Sequence, residues 1–202
     1  MGDYMRKKSH ISLASYLIKS MELEELNDHK KAFYLGSILP DCLPSFLTRK
    51  HTIQETFDIL KDEILKVTDQ YDMEKGITRY YTRHLGVITH YIADYFTYPH
   101  NHIFEGTLME HCNYENELKH ELRAYVKSKE AVKQREKIMT YRTVDDILHF
   151  IRLMHEEYLN VIKVVKIDCM YIVELCHKVV DAILQILELS LKVNKYKVVE
   201  IA

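Results

Sequence analysis

Tryptophan is absent from this sequence of 202 residues, and glycine (5), proline (3) and cysteine (4) are scarce. Turn-rich all-β folds need more glycine and proline than this, so the composition favours long helices. The cysteines contain no C-x-x-C pair, which is typical of reduced, partly buried thiols in a cytoplasmic protein. We therefore expect an all-α protein without a disulfide framework.

The sequence also lacks an excess of charge, a long apolar run and a targeting segment. Its formal net charge of -2 offers no basic field to a nucleic-acid backbone, so we expect no stable nucleic-acid partner. No apolar stretch approaches the roughly 18 to 20 residues of a membrane span, and serines interrupt the N-terminal region where a secretory signal would be apolar. These features predict a single domain over residues 1–202, located in the cytoplasm, whose oligomeric state the sequence does not indicate.

Histidine, by contrast, is abundant, with 12 copies, and some of them lie near carboxylates at helical spacing. Residues four apart share one face of a helix, so His90 and Asp94 can point at the same spot, as can His111 and Glu115. Imidazole nitrogen and carboxylate oxygen are both zinc ligands, and a catalytic zinc keeps one position open for water. Because thiolates are missing from the pattern, it favours a hydrolytic site over a structural one.

The surroundings of His90 decide between a metal site and an ordinary polar face. Most isolated polar pairs at this spacing simply face solvent. Here the segment 86–96 is largely apolar, and ionisable side chains in such a helix must be paired or bound to something. Pro99 should end the helix near Tyr98 and turn His100 back toward the same region.

Apolar periodicity and capping residues predict the helices that carry these residues. Ser9 is the expected N-cap of the first helix, with His10 at its very start, and the tail from Lys192 is ambiguous between a strand and a frayed end. The predicted helices run from Ser9 to Leu26, Lys30 to Ile38, Ile53 to about Val67, near Gly76 to Tyr98, Thr107 to about Lys133, Thr143 to about Val165 and Cys169 to about Leu191.

Three upstream residues complete a recognisable order. They are an early His10, Asp41 of a Pro-Asp pair in a loop, and His51 about ten residues later. With the His-x3-Asp-x5-His and His-x3-Glu segments that follow, this order and spacing resemble the zinc-dependent phospholipase C family, which is related in fold to the P1-type nucleases. The resemblance runs from about His10 to Glu115.

The resemblance implies a single all-helical domain with two or three zinc ions at the bottom of a cleft. Carried over to this sequence, the first zinc would be held by Asp41, His51, His90 and Asp94, and the second by His100, His111 and Glu115. A third zinc would be held by Asp94 as a bridge and by His10. In the family the third ion also binds an N-terminal tryptophan, which this chain lacks, so the Gly2 amine is the candidate for that place.

The implied activity is the hydrolysis of a phosphodiester. Paired zinc ions lower the pKa of a bound water and neutralise the phosphoryl oxygens, and Asp41 would orient or deprotonate that water. The substrate would be a phospholipid headgroup at a membrane surface, a nucleotide or another phosphoester, and the residues do not distinguish these. Aromatic side chains around the site, among them Tyr91, Tyr95 and Phe104, either line a substrate wall or belong to the core.

Two other interpretations remain open. Glu117-x-x-His120 and Glu174-x-x-His177 have the spacing used by di-iron helix bundles, although that hypothesis leaves His90 unexplained. The chain is alternatively a metal-binding helical protein without phospholipase activity. Histidines 84, 149 and 155 are interpreted as core-edge or exposed residues, and His102, Glu105 and His120 as rim or surface residues, although His102 could take the ligand role of His100.

Overall fold

A computed structural model describes residues 3–43, 49–72, 74–131 and 141–201. Within these ranges the regular structure is helical and includes no strand, which confirms the all-α prediction. No helix in the described part of the chain is both long and apolar enough to cross a lipid bilayer. The helices are α1 (Asp3–Met21), α2 (Glu24–Asp28), α3 (Lys30–Ile38), α4 (Ile53–Val67), α5 (Arg79–Tyr95), a 3-10 turn (Tyr98–His100), α6 (Leu108–Tyr125), α7 (Val144–Leu159) and α8 (Val165–Ile201).

The helix starts follow the capping residues in the sequence. Thr52, Thr107 and Thr143 each accept a hydrogen bond from the backbone N–H three residues later, at the starts of α4, α6 and α7. Ser9 is not an N-cap as predicted, because α1 already begins at Asp3. No glycine or proline separates Asp3 from Ser9, so the helix continues through this segment and places His10 in its interior.

The helix ends were less accurately predicted. α5 ends at Tyr95 rather than Tyr98, because Phe96 leaves the helical conformation ahead of Pro99. α6 ends at Tyr125 rather than Lys133, and α7 at Leu159 rather than Val165. The ambiguous tail is helical as far as Ile201.

The central helix α5 is buried over most of its length and packs against α3 and α4. Two glycines allow the backbones of α3 and α5 to touch. A Cβ atom on Gly86 would lie 2.4 Å from the Phe33 carbonyl oxygen, and one on Gly36 would lie 1.9 Å from the Arg83 carbonyl oxygen. This close approach brings the end of α3, including Ser37, against the middle of α5.

The remaining helices enclose the other side of α5. α1 packs on α3 and α6, and α8 packs on α5, α6 and α7. Phe96, Tyr158 and Tyr171 join these helices in one aromatic cluster, with ring centroids 5.2 to 5.8 Å apart. The turn Tyr98–His100 follows α5 and contacts both α6 and α8, because Tyr98 meets the Tyr114 ring and its backbone N–H donates to Asp168.

Substituting Gly86 by alanine should lower the free energy of unfolding by about 3 kcal/mol, because the new methyl group forces α3 and α5 apart. Urea denaturation measures this. As a control, Ala124→Ser adds one atom at an exposed position of α6 and should change stability by less than about 0.5 kcal/mol. Equal stability of the two variants would contradict the close packing of α3 on α5.

Candidate metal centre

The fold brings all eight predicted ligands into one cluster. They arrive from six parts of the chain: α1, the turn after α3, the segment before α4, α5, the 3-10 turn and α6. Six of the eight are buried, and His51 and His111 are half-buried. The residues are His10, Asp41, His51, His90, Asp94, His100, His111 and Glu115.

Asp94 lies at the centre of the cluster. Its Oδ2 atom is 2.9 Å from His51 Nδ1 and 3.2 Å from His90 Nε2. Its Oδ1 atom is 3.4 Å from both His10 Nε2 and His100 Nδ1. One buried carboxylate thus faces four imidazoles, which come from four different parts of the chain.

The first group of donor atoms consists of Asp41, His51 and His90. One ligand atom from each lies within 4.8 Å of the others. Asp41 Oδ1 is 3.8 Å from His51 Nδ1 and 3.9 Å from His90 Nε2, which is too far for hydrogen bonds. Asp41 Oδ1 thus makes no hydrogen bond to either ring, whereas His51 Nδ1 and His90 Nε2 lie 3.1 Å apart, and all three atoms face one common point.

The second group consists of His100, His111 and Glu115. Glu115 Oε1 lies 3.2 Å from His100 Nε2 and 2.8 Å from His111 Nε2. His111 and Glu115 thus pair on one face of α6, as their i, i+4 spacing predicts. The other ring nitrogen of His100 faces Asp94, so His100 lies between the two halves of the cluster.

A third group joins His10 to His90 and Asp94, and the rings of His10 and His90 stack with centroids 4.0 Å apart. The predicted contribution of the Gly2 amine falls on a residue outside the described ranges. α1 is continuous from Asp3 to His10, which separates these two residues by roughly 10 Å along the helix axis.

Two buried polar atoms in the cluster support a metal. Asp41 Oδ2 has no hydrogen-bond partner among the described residues, and His100 Nδ1 makes no hydrogen bond there either, although Asp94 Oδ1 lies 3.4 Å from it. Such atoms are rare in folded proteins, because each costs the desolvation of a polar group without compensation. Nitrogen and carboxylate donors without thiolate suit zinc, so the residues fit the ion that the sequence predicts.

The charges of the cluster favour an ionised carboxylate at its centre. Burial opposes ionisation of Asp94, but His100 and His90 outweigh it and hold the pKa of Asp94 well below its usual range. Burial also opposes protonation of His90, but Asp94 outweighs it and raises the pKa of His90. For His10, burial together with the charge of His90 lowers the pKa. Asp94 thus supplies the negative charge that a cation at the centre would meet.

The ring of His90 is oriented by a contact that the sequence did not predict. His90 Nδ1 lies 2.9 Å from the backbone carbonyl of Ser37. Because a carbonyl only accepts, Nδ1 carries the proton that it donates to Ser37, and Nε2 is the ring nitrogen that faces Asp41, His51 and Asp94 and would bind a metal ion. The glycine contact between α3 and α5 therefore fixes the tautomer of one ligand.

The turn that carries His100 is held by Asn101 and His155. The amide nitrogen of Asn101 donates to the carbonyls of Tyr95 and Thr97, at 3.0 and 2.9 Å. Its oxygen accepts a hydrogen bond from His155 Nε2 at 2.7 Å. His155 is fully buried rather than at the core edge, and its pKa is lowered to about 4 by burial.

Asp168, on α8, anchors the same turn from the opposite side. Its carboxylate accepts hydrogen bonds from the Tyr98 backbone N–H and the Tyr114 hydroxyl, both at 2.8 Å, and from the Tyr158 hydroxyl at 2.7 Å. Tyr114 belongs to α6, which also carries His111 and Glu115. Asp168 therefore ties the His100 turn to the helix of the other two ligands, a role that its sequence position did not reveal.

An open cleft of 710 Å³ leads to the cluster. Its lining residues include His51, His100 and His111 as well as Phe104. Of the other aromatic residues proposed as a wall, Tyr91 and Tyr95 are fully buried in the core. Three candidate ligands are thus reachable by a small molecule from solvent.

The alternative candidates do not form a second centre among the described residues. Glu117 and His120 are both exposed, and the Glu174 carboxylate is 2.5 Å from the Lys178 ammonium. His102 lines the cleft rather than joining the donor groups, and His84 is paired with Glu63 in the core. The described donor groups that can hold a metal are those around Asp94.

Comparison with known protein families shows which family the chain belongs to. The sequence profile of zinc-dependent phospholipase C matches residues 9–163. This chain belongs to the zinc-dependent phospholipase C family. All eight candidate ligands lie inside the matched range, whereas α8 follows it. No curated protein and no solved structure matches the chain significantly.

A pH dependence of stability should arise from Asp168. Burial raises its pKa to about 6, although its three hydrogen-bond donors and Lys163 oppose the shift. In the unfolded chain the pKa of this carboxyl is about 3.9, so the folded protein binds the proton more tightly. The stabilisation that this proton contributes is complete below about pH 4 and is lost as the pH rises through about 6. The free energy of unfolding, relative to Asp168→Asn, should fall by on the order of 3 kcal/mol over this interval.

Urea denaturation of the wild type and Asp168→Asn at pH values between about 4 and 7 checks this sign. The asparagine does not titrate, so the difference between the two proteins isolates Asp168 from the other carboxylates. A difference that is constant over this interval would mean that the three donors keep the carboxylate ionised in spite of its burial.

Proposed function

We propose that this chain hydrolyses phosphodiesters as a phospholipase C, at two or three zinc ions held by the eight clustered residues. The family to which it belongs supports a metal-dependent phosphoester hydrolase. The observation that carries the proposal is the convergence of three groups of possible metal ligands, two of whose buried atoms make no hydrogen bond, beside an open cleft.

We assign one zinc to Asp41, His51, His90 and Asp94, and a second to His100, His111 and Glu115. Asp94 Oδ1 also faces His10, so these two residues are assigned to a third ion. The contacts that orient the ligands belong to this assignment, because the Ser37 carbonyl holds His90 and the Asn101 amide holds the backbone next to His100.

In this proposal the substrate phosphate lies in the cleft against His51, His100 and His111, which are among its lining residues. Bound zinc ions would supply Lewis-acid polarisation of the phosphate and a water of lowered pKa. Asp41 is the proposed base, because its Oδ2 atom is buried in the cluster without a partner and can take a proton from the attacking water. An oxygen–phosphorus bond then forms, the ester bond to the alcohol breaks, and the alcohol leaves with a proton.

The products are an alcohol and a phosphomonoester. For a phospholipid substrate, these are a diacylglycerol and a phosphorylated headgroup. The proposal requires only that the phosphodiester reach His51, His100 and His111 in the cleft, so a small soluble diester is a sufficient first substrate. Phospholipid specificity is a finer part of the proposal and needs lipid substrates to test it.

Asp94→Asn should remove most of the bound zinc, because this carboxylate faces four imidazoles and two of the three donor sites depend on it. We expect elemental analysis to find two or three zinc ions per wild-type chain and no more than one in the variant, held by the donor group that lacks Asp94. Hydrolysis of bis(p-nitrophenyl) phosphate should fall by on the order of 100-fold or more.

Glu117→Gln is the matched control, since it neutralises an exposed carboxylate on α6 that faces no donor group. It should keep both zinc and activity. Zinc that is bound normally without any diester hydrolysis would support a metal-binding protein that lacks the activity. Iron in place of zinc, retained in Asp94→Asn, would overturn the assignment of the site.

A further inference from the structure

The charges at the mouth of the cleft suggest which headgroup it accepts. We propose that the cleft selects phosphodiesters whose headgroup carries an additional anionic group, bound by Lys50 with support from Arg49. This inference rests on the proposed function, because it assumes that the scissile phosphate lies over the zinc ligands. It goes further in naming a substrate class and the residue that recognises it.

Lys50 is placed next to the reacting centre by the chain itself. It directly precedes His51, it is exposed, and both residues line the 710 Å³ cleft. Its backbone N–H donates to the Glu55 carboxylate at 2.9 Å, which fixes the segment ahead of α4. Within the described ranges no carboxylate lies within 4.0 Å of its ammonium group, so the charge is free to meet a ligand.

Arg49 adds a second positive charge at the same edge. Its Nη1 atom contacts the Asp58 carboxylate at 3.2 Å, and the side chains are 50% and 71% exposed. An ion pair so open to water is weak and can be shared with a ligand. Arg49 also lines an adjoining hollow in which Lys61 and Arg152 are accompanied by the carboxylates of Glu55 and Asp58, so the excess of positive charge is confined to the edge formed by Arg49 and Lys50.

The cleft offers little to a cationic headgroup such as choline. Among its described lining residues, Glu55 is the acidic one, and its carboxylate is engaged by the Lys50 backbone. Recognition of a quaternary ammonium group uses several aromatic faces or unpaired carboxylates. Here Phe104 is the one described benzenoid ring in the lining. The balance of charge therefore favours an anionic headgroup over a cationic one.

A phosphate attached to the headgroup has the chemistry that this edge would bind. A Lys ammonium makes charge-assisted hydrogen bonds to phosphate oxygens, and these are about twice as strong as neutral ones. A second phosphate several ångströms from the scissile one would meet Lys50 while the first lies over His51. An inositol phosphate headgroup is a suitable probe, with glycerol as the uncharged and choline as the cationic comparison.

The test measures binding of free headgroup phosphates to the zinc-loaded protein by calorimetry, separately from turnover. Inositol 1,4-bisphosphate should bind at least about tenfold more tightly than glycerol 3-phosphate, and phosphocholine should bind most weakly. Lys50→Gln should remove the tenfold preference while leaving glycerol 3-phosphate binding nearly unchanged. Lys31→Gln, at an exposed position of α3 away from the cleft, should change nothing.

A second arm uses short-chain lipids with the same three headgroups, below their critical micelle concentrations. The order of kcat/KM should match the order of binding, and Lys50→Glu should reverse it in favour of choline. A preference that appears only on vesicles of anionic lipid, and not with monomeric compounds, would overturn the proposal as general attraction to a charged surface.

The outcomes separate this inference from the proposed function. If no diester is hydrolysed but the Lys50-dependent preference for inositol 1,4-bisphosphate is present, the hydrolase proposal fails and the anion site stands. If diesters are hydrolysed but phosphocholine binds as tightly as inositol 1,4-bisphosphate, or Lys50→Gln keeps the preference, the anion site is wrong.

Discussion

A single buried carboxylate, Asp94, organises the centre of this molecule. Four imidazoles from four parts of the chain approach its two oxygens at 2.9 to 3.4 Å. Burying a charge without partners costs several kcal/mol, so the side chain requires this shell of positive or metal-bound groups. The helices that carry the shell must therefore converge on α5, and the fold and the metal centre depend on the same constraint.

The ligands are held by a second layer of contacts that belongs to the packing of the helices. Gly36 and Gly86 let α3 touch α5, and the Ser37 carbonyl then fixes the tautomer of His90. On the other side, Asn101 and Asp168 hold the short turn that presents His100. Rigid helix packing thus sets the positions of the donor atoms before any ion arrives, as a preorganised metal site requires.

Local signals in the sequence predicted much of this arrangement. The i, i+4 pairs and the proline after α5 placed His90, Asp94 and His100 on adjacent elements, and threonine caps marked three helix starts. The sequence could not reveal Asp168 or His155 as partners of the His100 turn, because each acts across 54 to 70 residues through tertiary packing. The start of α1 was wrongly predicted because the helix propensity of the residues before Ser9 outweighed the capping signal of Ser9.

The most direct measurement is an anomalous-scattering map of zinc-loaded crystals, recorded on both sides of the zinc absorption edge. We expect one zinc peak among Asp41, His51, His90 and Asp94, and a second among His100, His111 and Glu115, at ligand distances of about 2.0 to 2.2 Å. A further peak beside His10 would complete the third site. Zinc bound only elsewhere on the chain, with both donor groups empty, would contradict the account.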